Sequence, residues 1–242
     1  MLYLEKEISP SKTDALIIVD VQMDFLPGGA LPVPEGDQII PVLNEYIDLL
    51  KRKVKIYATR DWHPPNHISF KAQGGPWPPH CIQDSEGAKL HPDLKLPRDV
   101  TIISKAMDPK RESYSGFDNT ELTSSLRIND VSRVLVAGLA TDYCVKNTVL
   151  DGLALGFEVV LLSDAIRGIN LNPGDAEKAV NAMILRGAKT ATLEDFPEPG
   201  DIPPDEQLTE EVIDAKPLEK AYKKKKARLR SRGPYRKARI EQ

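Results

Sequence analysis

Short apolar runs rich in β-branched residues recur along the chain, with segments of helical period between them. The runs are Ala15–Asp20, Lys55–Thr59, Val100–Ser104, Arg133–Ala137, Glu158–Leu162 and Lys189–Leu193. The helical segments are Ile39–Lys51, Thr120–Leu126, Asp142–Leu155 and Asp175–Arg186. Strands that are apolar throughout must be covered on both faces, and strands joined by helices pair in parallel through right-handed crossovers. The pattern predicts an α/β fold, a three-layer α/β/α sandwich around a central parallel sheet of about six strands. A chain of 242 residues holds one such domain and an appendage.

An open parallel sheet places its site beyond the carboxyl ends of the strands. The polar residues at those ends are Asp20, then Asp61 and His63, then Lys105, then Thr141–Cys144. A carboxylate, an amine, a thiol and two metal-ligand types therefore converge on one edge.

Each of these residue types fits a role. Cys144 falls where the strand in Gly138-Leu-Ala-Thr-Asp-Tyr-Cys-Val145 gives way to a helix at about Asp142. A thiol in a first helical turn is stabilised as thiolate, and the amides of Ala140 and Cys144 can form an oxyanion hole. Asp20 ends an apolar strand, where a carboxylate beside a thiol can take its proton and later deliver it to a leaving amine. Lys105 can hold Asp20 in position and favour the thiolate. Asp61-Trp-His-Pro-Pro-Asn-His67 and Trp77-Pro-Pro-His-Cys81 supply Asp61, His63, His67 and His80, three of the chain's four histidines. Mixed Asp/His ligation suits Zn²⁺, Fe²⁺ or Mn²⁺ with positions left open. Cys81 reads as packing and His91 as surface. Phe25, Trp77 and Tyr114 can line a flat aromatic pocket.

Charge divides the chain. Residues 216–242 carry 12 Lys and Arg against 2 Glu, or +10, and the other 215 residues carry 21 against 34, or −13. With the Pro-rich acidic stretch from Pro197 to Asp205, this predicts a folded domain over 1–196 and an extension, 197–242, ending in a basic tail. Such a tail can contact nucleic acid or an acidic surface by charge alone, and a scaffold that works through it is an alternative function class. Two cysteines make no disulfide framework, and runs such as Ala15–Val19 and Val159–Leu162 are too short to span a membrane. Residues 1–7 show no signal pattern, so the expected compartment is the cytoplasm.

Taken together, the segments Ala15–Phe25, Thr59–Phe70, Trp77–Cys81, Ser104–Pro109 and Ala137–Val145 resemble, in order, the nicotinamidases (pyrazinamidases) of the isochorismatase-like cysteine hydrolases. The resemblance covers about residues 12–196. It implies a triad of Asp20, Lys105 and Cys144, with Asp24 a noncatalytic neighbour. It implies one divalent metal on Asp61, His63 and His80, with His67 a fourth ligand in some members, and a cis Leu139–Ala140 peptide. The implied reaction is hydrolysis of nicotinamide to nicotinate and ammonia in NAD salvage, through a Cys144 thioester, with pyrazinamide a second substrate. Other amidohydrolases of the superfamily share the triad without the full metal set, so another small amide is the alternative. The 197–242 extension has no counterpart in the family, and the sequence is compatible with a homo-oligomer.

Overall fold

The computed structural model describes residues 8–197. The basic extension inferred from the sequence lies outside the described residues, except for Pro197. Six strands, β1 (Asp14–Val19), β2 (Lys55–Asp61), β3 (Thr101–Lys105), β4 (Arg133–Leu139), β5 (Glu158–Arg167) and β6 (Lys189–Ala191), form one sheet in the order β3-β2-β1-β4-β5-β6. Every neighbouring pair is parallel.

Alternation along the strands builds the two faces. Leu16, Ile18, Ile56, Ala58, Leu135 and Ala137 point to the face covered by α1 (Ile39–Leu50), which buries Leu43, Tyr46, Ile47 and Leu50 there. Ala15, Ile17, Val19, Tyr57, Val134 and Val136 point to the other face. There they meet Leu122 and Leu126 of α2 (Leu122–Ile128), Val149 of α3 (Lys146–Ala154) and Met183 of α4 (Asp175–Leu185). This is the three-layer arrangement expected from the sequence. Among the described residues no helix is long and apolar enough to cross a membrane.

Two differences from the sequence expectation concern the site. β2, β4 and β5 run on to Asp61, Leu139 and Arg167, so Asp61 and Lys105 are the last residues of paired strands, joined in register, rather than the first of loops. The segment expected as one helix from Asp142 starts as a π-helical turn, Thr141–Val145, and becomes α3 only at Lys146. The Ala140 carbonyl causes this by accepting the N–H groups of both Tyr143 and Val145, at 3.0 and 3.1 Å, so the turn opens to an i→i+5 bond. β4 also approaches β1 closely at Gly138. A Cβ there would lie 2.1 Å from the Val19 carbonyl oxygen, and φ is +116°, so only glycine fits.

The chain leaves β1 towards β2 and β3, and leaves β4 towards β5 and β6. The crevice between the carboxyl ends of β1 and β4 is thus the point where strand order reverses.

Candidate active site

Asp20 follows β1 at φ 49°, which turns its side chain into this crevice, where it is fully buried. Thr59 donates to its Oδ1 at 2.6 Å. Lys105 Nζ lies 2.9 Å from Oδ2, yet no hydrogen-bond donor among the described residues is aligned on that oxygen. The same ammonium donates to Asp61 Oδ1, to the Ser113 carbonyl at 3.3 Å and to Cys144 Sγ at 3.5 Å. Asp20, Asp61 and Cys144 each bring one atom within 4.8 Å of the others. The structure thus brings together all three residues of the expected triad.

Burial sets the electrostatics. It raises the Asp20 carboxyl above its ordinary value against the pull of Lys105. Burial also pushes the Cys144 thiol well up, more than Lys105 pulls it down, and the carboxylates of Asp20 and Asp61 add to the rise. The resting sulfur is therefore a thiol, where the helix-start argument expects a thiolate. For Lys105, burial alone would lower the ammonium, but Asp20 and Asp61 together hold it well above its usual range. Asp61 would be raised by burial, and Lys105, His63 and His80 bring it below the usual carboxylate value.

Asp61, His63 and His80 form a second buried cluster whose ligand atoms lie within 4.8 Å of one another. A carbonyl only accepts, so the bonds from His63 Nδ1 to the His80 carbonyl (3.1 Å) and from His80 Nδ1 to the Pro78 carbonyl (2.8 Å) fix the proton on Nδ1 in both rings. Both Nε2 lone pairs are left over, the arrangement that orients metal-binding imidazoles. Burial lowers His63 to about 4, so it is neutral and ready to ligate at pH 7. One carboxylate and two such imidazoles fit a divalent ion with open positions. His67 is arranged differently. Its ring centroid is 4.4 Å from that of His63, but Nε2 donates to the Arg111 carbonyl at 3.0 Å and Nδ1 accepts from Ser69 Oγ at 2.7 Å. Both of its nitrogens are thus engaged within the protein.

The aromatic residues fall into two groups. Phe25 is buried with its ring 5.5 Å from that of His80. Trp77 Nε1 donates to Tyr114 Oη at 3.0 Å, and burial pushes the Tyr114 phenol up to about 12. Tyr143, absent from the sequence reading, joins them with its ring 5.0 Å from Trp77 and 5.6 Å from Tyr114. Its place directly before Cys144 was the available signal. Phe70 is a second missed residue, packed edge-on against His63, His67 and His80. Gln22, a third, bonds to the backbone of Asp61.

The Leu139–Ala140 peptide is cis. Asp24 has a structural task, accepting the N–H groups of Cys81 at 2.7 Å and Ala30 at 3.1 Å. Cys81 is fully buried and its thiol is pushed well up by burial, which matches packing. His91 sits in a loop, half-buried, with its Nδ1 accepting from Asp93 N at 3.3 Å.

The isochorismatase domain matches residues 14–195. The chain belongs to the isochorismatase family. Within that family it is 43% identical to the nicotinamidase of Escherichia coli (strain K12), over 76% of this chain and 97% of the relative. Among solved structures of the family, the pyrazinamidase of Pyrococcus horikoshii in complex with zinc is 56% identical with a TM-score of 0.72, covering 74% of this chain and 99% of that one. PnC1 from L. infantum in complex with nicotinate is 37% identical with a TM-score of 0.74, covering 78% and 98%.

Proposed function

We propose that the protein is a nicotinamidase, an amidohydrolase that converts nicotinamide to nicotinate and ammonia and so serves NAD salvage. The observation that carries this reading is the contact of Lys105 with Asp20, Asp61 and Cys144, which joins a nucleophile to a metal-ligand cluster across one buried ammonium. The nicotinamidase from Escherichia coli and the zinc and nicotinate complexes of the relatives support the same substrate and metal.

The chain's own residues then divide the chemistry. Asp61, His63 and His80 hold one divalent ion, Zn²⁺ as in the Pyrococcus relative. When bound, that ion supplies a Lewis-acidic contact that orients the substrate. Phe25, Trp77 and Tyr114 bound a flat ring and turn the carboxamide carbon towards Cys144. Asp20, made more basic by burial, takes the thiol proton at its undonated Oδ2. The sulfur adds to the carbonyl carbon, and the amide N–H groups of Ala140 and Cys144 receive the oxyanion. Asp20 returns the proton to the nitrogen, the C–N bond breaks and ammonia leaves. Water gives a proton to Asp20 and adds to the thioester. The C–S bond breaks, the proton on Asp20 returns to Cys144, and the product leaves as nicotinic acid, which loses its proton to water to become nicotinate.

The thioester is the step to catch. Acid quenching during turnover should leave a nicotinoyl adduct on Cys144 in the intact mass, and Cys144→Ala should carry none. Steady turnover by Cys144→Ala would remove the thioester from the scheme.

We place all of this chemistry in residues 1–196 and none in the 197–242 extension. A chain ended after residue 197 should keep kcat/KM within about twofold of the full chain, as an independent domain would. Any binding of RNA or acidic vesicles that weakens with salt should disappear with the extension.

A further inference from the structure

Gln22 stands at the junction of the two halves of the site. β1 and β2 pair as far as Ile18 and Ala58, and Asp20 N still donates to the Thr59 carbonyl at 3.3 Å. Beyond that point Asp20 turns the chain away, while β2 continues for two more residues, to Asp61. Asp61 pairs with Lys105 of β3 on one side and faces a vacated strand position on the other. There the side chain of Gln22 takes the place of backbone. Its Oε1 accepts the Asp61 N–H at 2.7 Å, and its Nε2 donates to the Asp61 carbonyl at 2.8 Å.

The second N–H of the same amide donates to the Ala88 carbonyl at 2.9 Å. Ala88 belongs to the loop after His80, and that loop is bonded to His63 through His63 N to Cys81 O and Gln83 N to His63 O. Gln22 is fully buried, and all three of its amide bonds are used. One side chain therefore ties the backbone of Asp61 to the segment that carries His80.

We infer that Gln22 is a positioning residue for the metal. It sets the Asp61 carboxylate against the His80 imidazole before an ion arrives, so that binding need not pay for that ordering. The inference rests on the proposed ligand set Asp61, His63 and His80. A merely structural glutamine would stabilise the fold and leave metal affinity unchanged.

Competition between the full-length metal-free protein and a chromophoric chelator for Zn²⁺ separates the two roles. Gln22→Met keeps the length of the side chain without its polar atoms, and Gln22→Glu keeps the shape without the two donors. Leu43→Ala, in the core of α1, controls for destabilisation away from the site. Both Gln22 variants should bind Zn²⁺ about 10–100-fold more weakly, as loss of a partner behind a ligand does. Leu43→Ala should lower the thermal midpoint and keep the wild-type dissociation constant. A variant that folds only with Zn²⁺ reports the same loss through the higher Zn²⁺ concentration it needs to refold. Normal Zn²⁺ uptake by the wild type with unchanged affinity in the Gln22 variants overturns this inference alone. A wild-type protein that takes up no Zn²⁺ overturns the ligand set and this inference together.

Discussion

Among the described residues, Lys105 is the one cation shared by two buried carboxylates. Asp20 and Lys105 have fully buried side chains, and Asp61 is nearly so. Removing the cation leaves both carboxylates unpaired in a buried crevice, so Lys105→Met should destabilise the fold by about 3–5 kcal/mol as well as abolish turnover. Urea unfolding checks this, and a variant as stable as wild type would show that the carboxylates find other partners. His63 gives a pH prediction of definite sign. Its pKa is depressed from 6.5 to about 4, so the folded metal-free protein binds fewer protons than the unfolded chain between those values. Stability from this residue is intact above about pH 6.5, falls as pH falls, and is lower by about 3 kcal/mol below about pH 4. The urea midpoint of the metal-free protein should therefore drop more between pH 7 and pH 4.5 than that of His63→Phe, which has nothing to protonate. Equal drops would place the titrating group elsewhere.

The turn carrying Cys144, the proposed nucleophile, depends on its neighbours more than on its own propensity. Asp142 accepts the N–H groups of Ile169 at 2.9 Å and Asn170 at 2.8 Å, which pins the loop after β5 to the π-helical turn of Cys144. Asp142→Ala leaves two donors without their acceptor and should destabilise by about 2 kcal/mol. It should also lower kcat more than it raises KM, because the nucleophile moves and the metal cluster does not. Steady-state kinetics beside urea unfolding would test both, and an unchanged kcat would separate the loop from the chemistry. This element also marks where sequence reading stopped. Strands and helices were legible because an apolar run covered on both faces has few alternatives, and Asp20, Lys105 and Cys144 were legible as polar residues at the ends of such runs. The opening of the turn around the Ala140 carbonyl depends on a single backbone acceptor, which residue types do not encode. Gln22 was hidden for a related reason, since its task is to replace absent strand backbone, and only the relative lengths of β1 and β2 reveal that. Tyr143 and Phe70 were two among many aromatics until distances to Trp77 and to the histidines singled them out.

In the whole molecule, the reversal of strand order between β1 and β4 makes the proposed chemistry possible. The proposed metal ligands come from β2 and the long Pro-rich loop after it, and the proposed nucleophile comes from the far side, after β4. Asp20, at the end of β1, stands between them, and Lys105 reaches both from β3. Substrate positioning and bond breaking are thus assigned to separate segments that meet at one buried ammonium. Ammonia release from nicotinamide by the purified full-length protein tests this division most directly, run beside Cys144→Ala and a chelator-treated sample. Wild-type release, its loss in Cys144→Ala, and a chelator effect that raises KM and is reversed by added Zn²⁺ are the predicted results. No release from folded, Zn²⁺-loaded wild-type protein would contradict the assignment to nicotinamide.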